Sequence, residues 1–84
     1  MKITVEIKTI NKLPTSPLKA TAAVLLDECF VIRNVKVIET EKGMFISLPS
    51  FRGRDGKWRS VCHPITREFH DELQNAVIEA YQRA

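Results

Sequence analysis

Residues 2 to 10 alternate, with Ile3, Val5 and Ile7 on one side and Lys2, Thr4, Glu6 and Lys8 on the other. A period of two marks a strand with one buried face. Asn11 to Pro17 (NKLPTSP) carries two prolines among Asn, Thr and Ser, so no ladder runs through it, and it forms the first connection. Leu18 to Leu26 places Leu18, Ala20, Ala22, Val24 and Leu26 on one face and Lys19, Thr21, Ala23 and Leu25 on the other. Its far half is apolar on both faces, which predicts a cover on the second face as well.

Asp27 and Glu28 are the expected turn of an antiparallel hairpin, and Phe30 to Glu39 supplies the third strand. There the alternation breaks, because Phe30 and Ile32 share one parity while Val35 and Val37 share the other. Two readings fit: a one-residue bulge near Arg33 and Asn34 that returns all four to one face, or a strand partly buried on both faces. Glu39 to Gly43 (ETEKG) is a second turn. Gly43 to Leu48 is a fourth strand with Met44, Ile46 and Leu48 on one face, ended by Pro49.

Asp55-Gly56 predicts a type I′ hairpin turn with positive φ at both positions, and Lys57 to Val61 is the returning strand, closed by His63-Pro64. Thr66 to Tyr81 is the one helix. Phe69, Leu73, Ala76, Val77, Ala80 and Tyr81 form a single apolar stripe, and Thr66 is the expected N-cap. Glu68, Asp71 and Glu72 near its start and Arg83 near its end suit the helix dipole. This order predicts an α+β fold: a small antiparallel sheet of about five strands, one C-terminal amphipathic helix, and a β-hairpin carrying a basic loop.

Eighty-four residues, 44% hydrophobic and 27% charged, predict one small globular domain over 1–84. Two cysteines, Cys29 and Cys62, without CxxC spacing argue against a disulfide scaffold and for a reducing cytoplasm. A dimer interface is then the expected extra source of stability for so short a chain, and it would explain the doubly apolar second strand. The N-terminus has no apolar run of signal-peptide or membrane-span length, so the expectation is a cytoplasmic protein with no membrane role.

Charge changes this picture at one place. From Pro49 to Arg59, Arg52, Arg54, Lys57 and Arg59 face a single anion, Asp55. That local excess equals the +3 net charge of the whole chain and leaves the remainder in balance. A concentrated basic loop interleaved with Phe51 and Trp58 suits a polyanion, with cations on phosphates and rings stacked on exposed bases. The plainer reading is a solvated turn with Trp58 in the core. A reading of another class is a protein-interaction module whose basic hairpin binds an acidic protein partner.

Other chemistry is poorly supported. Cys62, His63 and His70 lack the spacing of a metal site. Cys62 and His63 are neighbours on a strand and point to opposite faces, which spoils a nucleophile–base pair. No Gly-rich phosphate loop or oxyanion motif is present. The expectation is a non-enzyme with no cofactor, no metal and no small-molecule substrate. In it His63 fixes the Pro64 junction by a hydrogen bond or touches a phosphate, and His70, Gln74 and Asn75 are exposed helix residues able to read bases.

Pro49, Ser50, Arg52, Asp55, Gly56, Arg59, His63, Pro64 and Ile65 together resemble the hallmark segment of the SpoVG family of small bacterial proteins. The opening MKIT, the segment LKATAAVLLDECFVIRNVKVIE and the closing helix extend the resemblance over nearly the whole chain. It implies a strand-rich body with its C-terminal helix near a basic surface. It also implies a dimeric, site-preferring DNA- or RNA-binding regulator of sporulation, septation and virulence programmes, without enzymatic activity. Carried over by position, the basic role falls on Arg52 and Arg59, with Asp55-Gly56 as the turn. Arg54, Lys57 and Arg67 join the candidate nucleic-acid-binding set from charge and proximity. Phe51 stands where the family commonly has a second basic residue, Cys62 where a small residue is usual, and Trp58 where a smaller aromatic is found.

Overall fold

A computed structural model describes residues 1–84. Six strands precede one helix: β1 (Ile3–Ile10), β2 (Leu18–Leu26), β3 (Phe30–Thr40), β4 (Gly43–Ser47), β5 (Ser50–Arg52), β6 (Trp58–Ser60) and α1 (Arg67–Arg83). β1 to β4 form one antiparallel sheet in chain order, and β5 and β6 pair only with each other. The α+β class is as expected. The strands number six, however, and the basic hairpin is a separate two-stranded ribbon, since Pro49 removes the N–H with which the ladder would continue.

α1 lies on one face of the main sheet. Its Leu73 and Val77 are buried against Ala20, Ala22 and Val24 of β2, Val35 and Val37 of β3, and Ile46 of β4, with Phe69, Ile78 and Tyr81 packed around them. Alanines at the centre of the sheet leave room for the helix side chains to interdigitate with the valines. Thr66 caps the helix, its Oγ1 accepting from the Phe69 N–H (3.2 Å). Gln74 does not face solvent as a base reader. Its Oε1 accepts from the Ile46 N–H (3.3 Å), satisfying a donor on the edge strand β4 and fixing the helix to it. No helix is long and apolar enough to cross a membrane.

The bulge in β3 is present. Val24 pairs with Ile32 and Ala22 with Val35, so Arg33 and Asn34 together oppose Ala23. Asn34 has φ 60, a left-handed conformation that Asn tolerates better than most residues. The extra residue restores parity: Val35 and Val37 are fully buried, Ile32 packs beside them, and Phe30 follows on the same side as a 63% exposed end of the apolar face. A second bulge lies in β1 at Lys8, between the pairs Ile7–Ala22 and Thr9–Thr21.

The β2–β3 turn is where the sequence places it, with Asp27 and Glu28 at φ 51 and 57 and the Cys29 N–H donating to the Leu26 carbonyl (3.1 Å). Leu26 pairs with Phe30, so Cys29 completes a three-residue loop, and the left-handed conformation of Asp27 and Glu28 strains residues that carry a Cβ. Lys2 braces it. Its N–H donates to Asp27 Oδ1 (2.7 Å) and its Nζ to Glu28 Oε1 (2.6 Å).

The second face of the sheet carries no element of this chain. Ala23 is buried there between Glu6 on β1 and the Arg33–Asn34 bulge on β3. The expected cover is therefore absent within the chain, and flanking strands rather than a second layer account for the burial at Ala23.

Candidate nucleic-acid interface

The ribbon has no buried residue. Its shape comes from the turn and from polar contacts. The Gly53 N–H donates to the Lys57 carbonyl (2.8 Å) and the Gly56 N–H to the Gly53 carbonyl (3.0 Å), so Arg54, Asp55 and Gly56 form a three-residue loop. Gly56 has φ 80, while Asp55 is not in the left-handed region. The type I′ turn expected at Asp55-Gly56 is thus replaced by a tight turn closed by a left-handed glycine, the other common hairpin connection.

One residue of loop length changes the site. A two-residue turn at Asp55-Gly56 would set Arg52 directly opposite Arg59. The observed register instead pairs Arg52 with Trp58 and Phe51 with Arg59, which puts the two arginines on opposite faces of the ribbon. Arg52 Nε donates to the Gly56 carbonyl (3.3 Å), holding its guanidinium across the loop. Arg59 grips Asp55 in a two-pronged contact, Nη1 to Oδ1 at 3.1 Å and Nη2 to Oδ2 at 2.7 Å.

The Arg59 guanidinium beside Asp55 holds its carboxyl below the ordinary value of 3.8, helped by the Lys57 N–H that donates to Oδ1 (3.1 Å). Arg59 is thus ion-paired within the turn, unlike the other three cations of the ribbon. Gly53 makes this possible: a Cβ there would meet Arg59 Nη1 at 2.2 Å and Asp55 Oδ1 at 2.9 Å. Sequence reasoning missed Gly53. The signal was its place ahead of Arg54-Asp55-Gly56, where a longer loop needs a small entry residue.

Arg52, Arg54 and Lys57 are exposed and make no ion pair. Trp58 is 69% exposed and so is not a core residue. Arg67 stands apart. It lies at the head of α1, its side chain 93% exposed with Nε 3.9 Å from Asp71, and it makes no hydrogen bond or ion pair with the ribbon. A hollow lined by Ser50, Ser60, His63 and His70 separates the ribbon's base from that helix end. His63 Nδ1 lies 3.2 Å from the Pro64 carbonyl and, protonated there, donates to it, as expected for a residue fixing that junction.

The family model SpoVG matches residues 1–83. Relatives include proteins named "Putative septation protein SpoVG" from Treponema denticola, 40% identical over 99% of this chain and 88% of the relative, and from Archaeoglobus fulgidus, 40% identical over 92% and 91%. A third of the same name, from Lachnospira eligens, is 43% identical over 80% of this chain and 76% of its own. The match runs through sheet, ribbon and helix alike, and the chain belongs to the SpoVG family.

Proposed function

We propose that this protein binds nucleic acid, DNA or RNA, as a homodimer and without catalysis, and that it regulates gene expression connected with septation or sporulation. The observation that carries this reading is the ribbon: three exposed cations without counter-charges, Arg52, Arg54 and Lys57, beside an exposed tryptophan on a protruding hairpin. Arg59 and Asp55 hold the shape that presents them. Dimerisation is supported by the small buried core of nine residues and by the exposed Phe30, Val61 and Ile65 on a chain this short. A monomer mass by sedimentation at micromolar concentration would remove the dimer from this reading.

With three unpaired cations per chain, a dimer neutralising about six phosphates loses roughly 10³ in affinity between 50 and 200 mM salt. Fluorescence-anisotropy titrations of a labelled oligonucleotide test this. Arg52→Ala should weaken binding and lower the salt slope by about one contact per chain. Arg59→Ala should act through loosened turn geometry and change the slope less. Absent or salt-insensitive binding sinks the reading and points to an acidic protein partner, which a pull-down would then seek.

A further inference from the structure

The open face of the sheet is not neutral. Cations and anions balance along the chain outside the ribbon, yet the fold sorts them. The pairing registers place Lys8, Arg33 and Lys36 on the face opposite α1, with Glu6 the acid among them. Lys8 is held by Glu6 (2.8 Å), while Arg33 and Lys36 are exposed and make no ion pair.

The bulges at Lys8 and at Arg33–Asn34 flank the same stretch of β2. Between them lies a hollow of about 280 Å³, floored by Thr21, Ala22 and Ala23 and walled by Lys8, Arg33 and Asn34. Paired bulges re-aim side chains and commonly mark functional surfaces. A second hollow, about 240 Å³, shares Thr21 and Asn34 with the first and runs on past Lys36, Pro49 and Ser50 to Trp58. Trp58 is the only tryptophan and shares its ribbon face with Arg52. One trough therefore leads from the sheet's basic hollow to an exposed ring and then to Arg52, which shares that ring's ribbon face and makes no ion pair.

We infer that this trough is a track for single-stranded nucleic acid, an inference that rests on the nucleic-acid reading above and names the form of the ligand and the second half of its site. Arg33 and Lys36 neutralise backbone phosphates over a floor of small residues, Trp58 stacks on a base, and Arg52 takes the phosphate beyond it. From Lys8 on β1 to Arg33 and Lys36 on β3 the track crosses two strand spacings of about 4.8 Å, and it then passes Pro49 and Ser50 to the ribbon. A single strand offers its base faces to such a ring, whereas a duplex keeps them stacked and offers only phosphates. Charge complementarity and an unpartnered aromatic together select a polyanion that carries rings.

Trp58 is its own reporter. Its intrinsic fluorescence is titrated with a thymidine 12-mer, with the same strand annealed to its complement, with inorganic polyphosphate and with a poly-glutamate peptide, at 50 mM salt. The 12-mer should quench Trp58; the duplex and polyphosphate should bind with little quenching. Trp58→Ala should weaken 12-mer binding roughly 5- to 150-fold, and Trp58→Phe should restore most of it. Arg33→Ala combined with Lys36→Ala should lose about tenfold or more and lower the salt slope, with Lys36→Ala alone as a milder variant and urea unfolding as the control for folding.

Salt-dependent 12-mer binding without quenching and with the Arg33, Lys36 and Trp58 variants at parent affinity overturns the track and leaves the ribbon reading standing. Equal quenching by the duplex also overturns it. No binding of 12-mer or duplex overturns both readings, and tighter binding of poly-glutamate than of the 12-mer replaces them with a protein partner.

Discussion

The sheet–helix body and the ribbon solve the same problem, holding backbone in a defined shape, by different means. In the body, Leu73 and Val77 close an apolar face formed by β2, β3 and β4, and every fully buried residue belongs to that body. The ribbon buries nothing and is shaped by a glycine in a left-handed turn, a two-pronged Asp55–Arg59 pair and a guanidinium laid across the loop. Burial gives cooperative stability but consumes surface. Local polar contacts are individually weak in water, yet they leave Arg52, Arg54, Lys57 and Trp58 of the ribbon exposed to a ligand. Substitutions in the two regions should therefore separate stability from binding.

The largest effect belongs to the core. Leu73→Ala removes a fully buried side chain at the centre of the helix–sheet contact and should cost about 2–5 kcal/mol in urea unfolding. Arg52→Ala and Lys57→Ala on the ribbon should stay within about 0.5 kcal/mol of the parent in the same measurement. The contrast breaks if the ribbon variants cost as much as the core variant, for then the ribbon contributes to the cooperative unit.

Next is the bulge that joins the two regions' surfaces. Asn34 is exposed and makes no side-chain hydrogen bond, so its substitution tests backbone conformation with little packing change. Asn34→Val should destabilise by about 1–2 kcal/mol because a β-branched residue resists φ 60, and Asn34→Gly should be neutral or mildly stabilising. Equal stability of the valine variant would mean that the strand can slip its register. In that case the Arg33–Lys36 surface would not be fixed.

The body was readable from sequence because one-sided burial leaves a period in the residues. Alternation located β1 to β4, the Phe69–Leu73–Val77 spacing located α1, and even the fault between Ile32 and Val35 betrayed the bulge. The ribbon was readable only in composition. Asp-Gly serves two-residue and three-residue loops alike, and nothing buried sets the register. The choice falls to Gly53, whose missing Cβ admits the Arg59 guanidinium. That choice decides which face Arg59 occupies. The charges of Arg33 and Lys36 were hidden for a different reason: they are balanced along the chain and are gathered only by strand pairing. The role of Gln74 leaves no trace in the helix pattern, because the edge-strand donor that it satisfies is a tertiary feature.

The smallest expected effect tests the ribbon's polar clasp directly. Asp55 has its carboxyl pKa depressed below 3.8 chiefly by Arg59, so the folded turn prefers the carboxylate. The clasp's contribution is fully present above the unfolded value and is lost as pH falls through the lower, folded one. The carboxyl resonance of Asp55, followed by NMR, should titrate below 3.8 in the parent and return toward it in Arg59→Ala. Gly53→Ala should do the same without removing a charge, because the added Cβ would crowd Arg59 Nη1 at 2.2 Å and Asp55 Oδ1 at 2.9 Å, both of them side-chain ends that can swing away, and Gly53 needs no left-handed φ. The unfolding midpoint should barely move in either variant. If Gly53→Ala leaves the Asp55 titration unchanged, the guanidinium does not lie over Gly53, and the opposed placement of Arg52 and Arg59 loses its local cause.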